Sequence, residues 1–519
     1  MKGKRGLLQY YLYLVLTAIV SVFAALANNL ILLLIFWSFL GLTLYLLINM
    51  GDEKSNLAAK KTFIIVGGSD ALMLLGIGMI YYLTGTFQMD KIKLPIINYQ
   101  LPIVAYLCLA IASFAKAGAM PFHSWIPDCA ESAPVPVIAY LPASLDKLLG
   151  IYLLARISLN LFVMNSATNI FLMLIGMFTI IAAVMMALVQ HNMKRLLGYH
   201  AVSQVGYMVL GIGTGNPVGI AGGLFHMLNN AIYKSCLFLT AGNVEYRTET
   251  SELDELGGLA KIMPITYISV VVASLSISGV PPFNGFVSKW MIYQGVITQL
   301  TINRLHFTVR NVITILCLVA AMFGSGLTLA SFMKLLHAAF LGQTQNSKRK
   351  IQNEVSWVMW FPPILLAMIC VIFGIFANHI PLKYFIFPAV GDTTFIGTWY
   401  AGSATLMIFI GLALGMLLFS LKWIGSVIRQ DTPYTGSETR DFSETKVTGT
   451  EFYNTIKEFG ILNGIYKKAE KGFFDIYEQG KNIVFGIGRF FQYLHNGILP
   501  TYLVWCLLGM IGLFWVLLK

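Results

Sequence analysis

Lys116-Ala-Gly-Ala-Met-Pro-Phe-His-Ser-Trp125 interrupts a long apolar run, and Gly279-Val-Pro-Pro-Phe-Asn-Gly-Phe-Val-Ser-Lys289 interrupts another. Both contain Gly-x-x-Pro-Phe, at Gly118 to Phe122 and at Gly279 to Phe283. Proline removes a backbone donor and clashes with the preceding turn, so each helix should break there, at Gly118 and Pro121 and at Gly279, Pro281 and Pro282. An open backbone inside lipid is costly unless it lines a polar cavity or is buried in protein. The two breaks lie five predicted spans apart. An odd offset makes the second five-helix unit enter the membrane from the opposite side, the pattern of an inverted repeat whose broken helices surround an ion path. Two ordinary proline kinks are the alternative, but they leave unexplained the lysine close to each break.

The composition around these breaks is that of a membrane protein. Hydrophobic residues make up 57% of the 519 and charged residues 11%, too little charge for a soluble surface of this size. Apolar stretches of about 20 residues, enough to cross roughly 30 Å of hydrocarbon, recur along the chain. The first begins near Tyr10 and has no small-residue cleavage site, so it reads as a retained helix. The net charge of +12 falls in loops, not in an aromatic-interleaved patch, which argues for membrane topology and against nucleic acid.

The six cysteines, Cys108, Cys129, Cys236, Cys317, Cys370 and Cys506, include no Cys-x-x-Cys pair, and no Gly-x-Gly-x-x-Gly turn is present. Iron–sulfur, structural zinc and dinucleotide sites are therefore not expected. The chain reads as having no cofactor, no metal and no redox or catalytic centre of its own.

Hydropathy and loop charge give about 13 spans. They start near Tyr10, Leu30, Phe63, Ile103, Val135, Ile170, Leu196, Val218, Ile265, Val312, Val358, Tyr400 and Leu503. The predicted fold is all-α and polytopic. Residues 1–165 form the first repeat, 166–342 the second, and 343–425 two further spans. Residues 426–499 form a polar segment with an amphipathic surface helix, and 500–519 a final span. Lys2, Lys4, Arg5, Lys54, Lys60, Lys61, Lys194, Arg195, Lys348, Arg349 and Lys350 share one face, which the positive-inside rule makes cytoplasmic. The N-terminus is then cytoplasmic and the C-terminus lies on the opposite face of the cell membrane. Lys91, Lys93, Arg304 and Arg310 fall on that opposite face. In the polar segment, Tyr466-Lys-Lys-Ala-Glu-Lys-Gly-Phe-Phe-Asp475 mixes aromatics with charge and reads as part of a helix lying on the membrane.

A lysine near the bilayer centre costs about 2.5–3.5 kcal/mol on insertion scales, so each one needs a reason. Lys116 precedes the first break and Lys289 follows the second; Lys147 adjoins Asp146 in the fifth span, and Lys234 lies in the eighth. His226, Asn230 and Lys234 are spaced by four and share one helix face. Asp70, early in the third span, is the other acid at membrane depth; Lys334 and His337 stand near the end of the tenth. Burial disfavours a lysine's charged form and a nearby acid favours it. Moving the acid or its proton therefore switches the lysine between holding and releasing a proton. Lys334 could equally snorkel to the interface. His226 alone would more often be a packed histidine. Asp146 and Lys147 are about 100° apart on the helix and need not pair.

With these residues in hand, the chain resembles the antiporter-like subunits shared by respiratory complex I, energy-converting membrane-bound hydrogenases and Mrp sodium/proton antiporters. The matching segments are Lys116 to Asp128, Pro134 to Arg156, Lys194 to Tyr207, His226 to Gly242 and Ser278 to Lys289, within a resemblance running from Tyr10 to Phe340. The Ala143-Ser-Leu-Asp-Lys147 version looks closer to the hydrogenase type, and the tail from Tyr453 through Tyr502 looks like members with a surface helix and a final span. The resemblance implies that Lys116 is the broken-helix lysine, Lys147 the next relay lysine, Lys234 the central one and Lys289 the terminal one. His226 matches the first histidine of a family pair, with Asn230 where the second would stand.

Two departures concern the first half. The glutamate that the family places after a tryptophan is Ser38 here, following Trp37, so Asp70 would have to take over as the acid or the first half-channel would not conduct. Three family spans before Tyr10 are missing, which a split gene, a late start codon or a shortened subunit would explain.

The expected function is proton translocation, or sodium/proton exchange, along a mid-membrane Lys/His/acid relay. It would serve a redox complex with other antiporter-like and hydrogenase- or quinone-reductase-like subunits. A small subunit supplying the missing helices would be a further partner. A self-standing antiporter or membrane partner of inorganic-carbon uptake is one alternative, and a non-conducting structural role is another.

Overall fold

The computed structural model describes residues 6–96, 100–302, 309–342, 353–391 and 459–518, with some positions between 393 and 457. The first group of helices is α1 (Leu7–Leu26), α2 (Leu30–Ile48), α3 (Glu53–Thr84), α4 (Gln100–Ala117), α5 (Trp125–Ser132), α6 (Val135–Tyr140) and α7 (Asp146–Arg156). The second is α8 (Ser166–Leu188), α9 (Met193–Gly213), α10 (Pro217–Thr248), α11 (Pro264–Ser278), α12 (Asn284–Ile302) and α13 (Val309–Leu336), followed by α14 (Trp357–Ile375). Among the described residues, strand is confined to Leu94–Pro95 paired in parallel with Phe162–Val163.

The helices start where the sequence supplies caps. Asn29, Asn165, Asn192 and Asn216 each accept a backbone N–H at the start of α2, α8, α9 and α10. Pro217 and Pro264 occupy first-turn positions, where a missing N–H costs nothing. The third span was expected from Phe63, yet α3 begins at Glu53. A helix has no reason to stop at the hydrophobic edge, and Lys54, Lys60 and Lys61 form its polar first turns.

Nine helices among the described residues are long and apolar enough to cross a membrane. Apolarity therefore falls short of the predicted 13 spans, and the twelfth, from Tyr400, lies largely outside the described residues. Helices α9 and α10 are missing from the nine although they are 21 and 32 residues long. They carry His200, Gln204, His226, Asn229, Asn230 and Lys234, all buried. The interior of a bundle can hold such helices because their polar groups meet protein instead of lipid. The lipid-compatible side chains are on the periphery: Leu12, Val15 and Ile19 of α1 and Leu316, Val319 and Phe323 of α13 are exposed.

The two groups repeat one order: three helices, a broken fourth, and a fifth. Helix α4 ends at Gly118 and α11 at Gly279, both with φ of 81°. Beyond each glycine the next N–H reaches back to the same position: Ala119 donates to the Phe114 carbonyl at 3.0 Å and Val280 to that of Leu275 at 3.0 Å. That is a glycine-closed helix end, which satisfies carbonyls otherwise orphaned in the membrane. Pro121, Pro281 and Pro282 follow in the linkers before α5 and α12 begin.

Glycine also sets the spacing of the second group. A Cβ on Gly176 of α8 would sit 2.6 Å from the Leu210 backbone nitrogen of α9, and one on Gly206 would sit 2.6 Å from the Gly176 carbonyl oxygen. Backbones that close leave α9 wedged between α8 and α10. Helix α10 in turn packs against α6 and the turn after it, joining the second group to the first.

Residues 460–519 form a separate compact unit of helices Gly460–Glu470, Ile476–Leu494 and Leu499–Leu517. The stretch Tyr466 to Asp475, expected within one surface helix, instead straddles two. A turn at 471–474 separates them, and Asp475 caps the second by accepting the Tyr477 N–H at 2.9 Å. The amphipathic pattern is strongest in Ile476–Leu494: Ile476, Ile483, Ile487, Phe490 and Leu494 share one side, opposite Glu478, Lys481 and Arg489.

Candidate functional site

Lys116 occupies the last turn of α4, beside the first break, and is fully buried. A helix C-terminus favours a cation. Its ammonium donates to the Trp37 carbonyl at 3.0 Å and lies 4.5 Å from the centre of the Trp37 ring. Two acids act on it across space, Asp146 more strongly than Asp70. Asp70, on α3, faces Ser38 and the Trp37 indole. The indole N–H makes no hydrogen bond of normal geometry, and Asp70 Oδ1 has no partner among the described residues. The structure thus brings Asp70, Ser38 and Lys116 together.

Asp146 and Lys147 open α7, immediately after a π-helical turn at Leu141–Leu145. Such a turn shifts the hydrogen-bond register and releases carbonyls. Lys147 donates to the released Pro142 carbonyl at 2.6 Å, and Asn230 of α10 donates to that of Ala143 at 3.1 Å. As expected, the adjacent acid and lysine are not clamped to each other. Asp146 Oδ2 has no hydrogen-bond partner among the described residues, and its charge faces Lys116 first and Lys147 second. Asp146 therefore bridges the two lysines of the first half.

In the second half, His226 is fully buried between α9 and α12. Its Nδ1 is 2.9 Å from the Ser288 hydroxyl and its Nε2 is 3.0 Å from Gln204 Oε1, with the Tyr233 hydroxyl at 3.3 Å. With the Gln204 oxygen toward the ring, Nε2 carries the hydrogen. Ser288 has a choice: it can donate to Nδ1, or turn to the Gly285 carbonyl at 3.2 Å and accept from Nδ1 instead. One hydroxyl rotation thus accommodates neutral or protonated His226 without moving the ring.

Lys234 donates to the Leu197 carbonyl at 2.8 Å between Phe238 and Phe332. Lys289 has no hydrogen-bond partner among the described residues and sits 4.4 Å over the Tyr207 ring. Its stem lies across the second break, where a Cβ on Gly279 would meet it at 2.9 Å. Around that break the Asn229 amide donates to the Asn284 backbone carbonyl at 3.0 Å, the Asn284 amide donates to Asn229 Oδ1 at 2.9 Å, and Ser276 donates to Asn284 Oδ1.

The four lysines share one property. Three have a single backbone carbonyl and the fourth has none, while none belongs to an ion pair among the described residues. An ammonium has three donors and no acceptor, so spare N–H groups remain to donate to water or to pass a proton on. Lys334 and His337 are placed differently. Lys334 caps α8 through the Leu188 and Gln190 carbonyls, both at 2.8 Å, and the His337 side chain is exposed. Neither joins the interior row directly.

Sequence reasoning passed over His200, Gln204 and Tyr207 of α9, which face the second-half site. The signal was available: three polar side chains at i, i+4 and i+7 beyond the charged first turn of the helix. No cluster of His, Cys, Asp or Glu among the described residues has a metal-binding arrangement.

Comparison with known proteins places this geometry. The family described as NADH:quinone oxidoreductase/Mrp antiporter, transmembrane, matches residues 27–315. The chain is 28% identical over 502 residues to a Na(+)/H(+) antiporter subunit of Alkalihalophilus pseudofirmus, covering 90% of this chain and 62% of that one. It is 32% identical over 388 residues to a Na(+)/H(+) antiporter subunit of Staphylococcus epidermidis, covering 71% of this chain and 48% of that one. The chain thus spans about half to three-fifths of these curated relatives. A chain of the membrane-bound sulfane sulfur reductase, an archaeal respiratory membrane complex, shares the fold with a TM-score of 0.77 at 22% identity, covering 98% of this chain and 83% of that one. A chain of the Mrp complex from Dietzia gives 0.65 at 21% identity, with 70% and 74% covered.

Proposed function

The chain belongs to the NADH:quinone oxidoreductase/Mrp antiporter transmembrane family, and from that premise we propose that it is the proton-translocating subunit of a multi-subunit membrane complex. The observation that carries the reading is the row of four buried lysines, Lys116, Lys147, Lys234 and Lys289, none in an ion pair among the described residues. Protons pass between them with Asp146 bridging the first two, Asn230 tying the halves together, and His226 with Gln204 and Ser288 serving the last. Asp70 is the acid of the first half, in place of a glutamate at Ser38. The positively charged loops set the orientation, with the N-terminus cytoplasmic.

The force that drives the relay has two readings. Redox chemistry in partner subunits is favoured by the near-complete match in fold to the respiratory chain. Exchange against sodium is favoured by the curated relatives, which are named as Na(+)/H(+) antiporter subunits. Gentle purification with mass spectrometry separates them: hydrogenase- or quinone-reductase-like subunits support the first, and antiporter proteins alone the second.

The relay itself is tested by Lys234→Ala and Lys289→Ala in membranes holding the assembled complex. Each should abolish proton transport, measured with a pH-sensitive dye in everted vesicles. Full transport in either variant removes the relay.

A further inference from the structure

Helix α9 carries a second buried histidine that the relay does not use. His200 is fully buried; its Nε2 lies 2.7 Å from the Ser331 hydroxyl of α13, and its Nδ1 has no partner among the described residues. An unpartnered buried ring nitrogen normally costs stability, so a packed structural histidine should have had both nitrogens occupied. The free nitrogen belongs to a ring close to Lys234. Lys234 bonds to the carbonyl of Leu197, one turn before His200. Its ammonium is 6.0 Å from the centre of Phe332, and the His200 ring is 4.7 Å from that same phenyl ring. Phe332 thus flanks both the central lysine and the histidine, and it is fully buried.

From Ser331 the route continues toward a loop face. Lys334 stands one turn further along α13, held by the Leu188 and Gln190 carbonyls, and it feels the Asp254 carboxylate across space, with Lys457 facing it as a like charge. Asp254 is bound by His191 at 2.8 Å and accepts from the Thr450 hydroxyl. The His191 and Asp254 side chains are 39% and 43% exposed, so the far end of the route reaches solvent.

We propose that His200 and Ser331 form a proton branch connecting Lys234 to the face bearing His191 and Asp254, and that Phe332 is its gate. When Phe332 turns aside, the Lys234 N–H bond breaks and a proton joins His200 Nδ1. The Nε2–H bond then breaks as Ser331 Oγ takes that proton, and the serine's own proton passes to water on the way to Lys334 and Asp254. The reverse sequence loads Lys234 from the same face. With Phe332 in place, the branch is shut and Lys234 exchanges protons only along the row. This gives the second half-site a port of its own, and it rests on the proposed relay.

The test uses the assembled complex in everted vesicles, with proton flux driven by an imposed potassium diffusion potential. Glutamine keeps the size and the hydrogen bond to Ser331 but cannot take a proton at one end and release it at the other. H200Q and S331A should therefore each lower the flux by about a hundredfold, the low end of what a positioned proton carrier contributes. F332A should raise the undriven leak several-fold, and adding H200Q should return that leak to the background. H200Q at the wild-type rate would overturn the branch, as would an F332A leak that H200Q leaves unchanged. Lys234→Ala run alongside keeps the two ideas apart: wild-type flux there removes the relay, whereas loss there with full flux in H200Q removes only the branch.

Discussion

Exchanging the acid between two helices is the sharpest perturbation of the first half-site. Asp70 on α3 and Ser38 on α2 face each other beside Lys116, so a carboxylate can be moved from one to the other: Asp70→Asn removes it, and Ser38→Glu restores it from across the interface. Lys116 and Asp70 act on each other across space, and two unit charges about 6 Å apart at an effective dielectric of about 20 attract by about 3 kcal/mol. At 1.36 kcal/mol per decade, losing it should slow proton passage through Lys116 by about 100-fold. That agrees with the contribution usually found for a positioned acid or base. Asp146 remains as the stronger acid acting on Lys116, so passage is slowed, not reorganised. The double variant Ser38→Glu/Asp70→Asn should recover to within about tenfold of the wild type. Flux in everted vesicles, scaled to the amount of assembled complex, measures all three. Wild-type flux in Asp70→Asn would refute an acid role for Asp70. Loss in the single variant without recovery in the double would refute the exchange and leave Asp70 with a role that Ser38 cannot house.

Two structural variants test the framework that positions the lysines. Asn230→Leu leaves the Ala143 carbonyl, freed by the π-helical turn, without its donor, and should cost about 1–3 kcal/mol. Thiol-dye melting, which reads exposure of the buried Cys129 and Cys236, should detect it as a lower transition, and an unchanged melt would show that the repeats are not joined there. Gly176→Val places side-chain atoms where even a Cβ would lie 2.6 Å from the α9 backbone, so α8 and α9 must separate. Overpacking of that kind costs about 1–3 kcal/mol or more, and the yield of assembled complex should fall; a normal yield would refute the close approach.

The residues that break helices were readable because their effect is local. Gly118 and Gly279 end their helices at the same φ, as a shared motif in the sequence suggests. The lysines were readable because charge inside an apolar run needs a reason wherever it occurs. What the sequence hides is the partner of each lysine, because three of the partners are backbone carbonyls, of Trp37, Pro142 and Leu197, which every residue type carries. The four-residue spacing of His226, Asn230 and Lys234 was a fair guide to a common side of α10. Each step of four, however, overshoots a full turn by about 40°. Across two steps the drift is large enough that His226 meets α9 and α12, Asn230 meets the turn before α7, and Lys234 meets Leu197 beside Phe332. The spacing of His200 with Gln204 and Tyr207 was legible, but a histidine in a helix is usually packed; the empty ring nitrogen that sets His200 apart is visible only in the coordinates.

The way charge is held differs between the loops and the interior, and the difference fits transport. Near the loops, Lys61 with Asp128, Lys194 with Glu245 and Arg195 with Glu131 are ion pairs at 2.6–2.7 Å. Such contacts fix side chains in one geometry and one protonation state. In the interior, an ion pair of that kind would hold each lysine charged, and a proton could leave only by breaking it. A single carbonyl makes a weaker claim. It orients the amine whether charged or neutral, since a neutral amine still donates an N–H. Asp146 adds a field that reaches both Lys116 and Lys147 without clamping either, so the state of one lysine alters the other through the acid they share. Lys289, with only the Tyr207 face beneath it, is the extreme case, and it is also the lysine farthest along the row. The proposed relay would grade from acid-supported to unsupported sites, so that each proton's advance would depend on what has changed behind it.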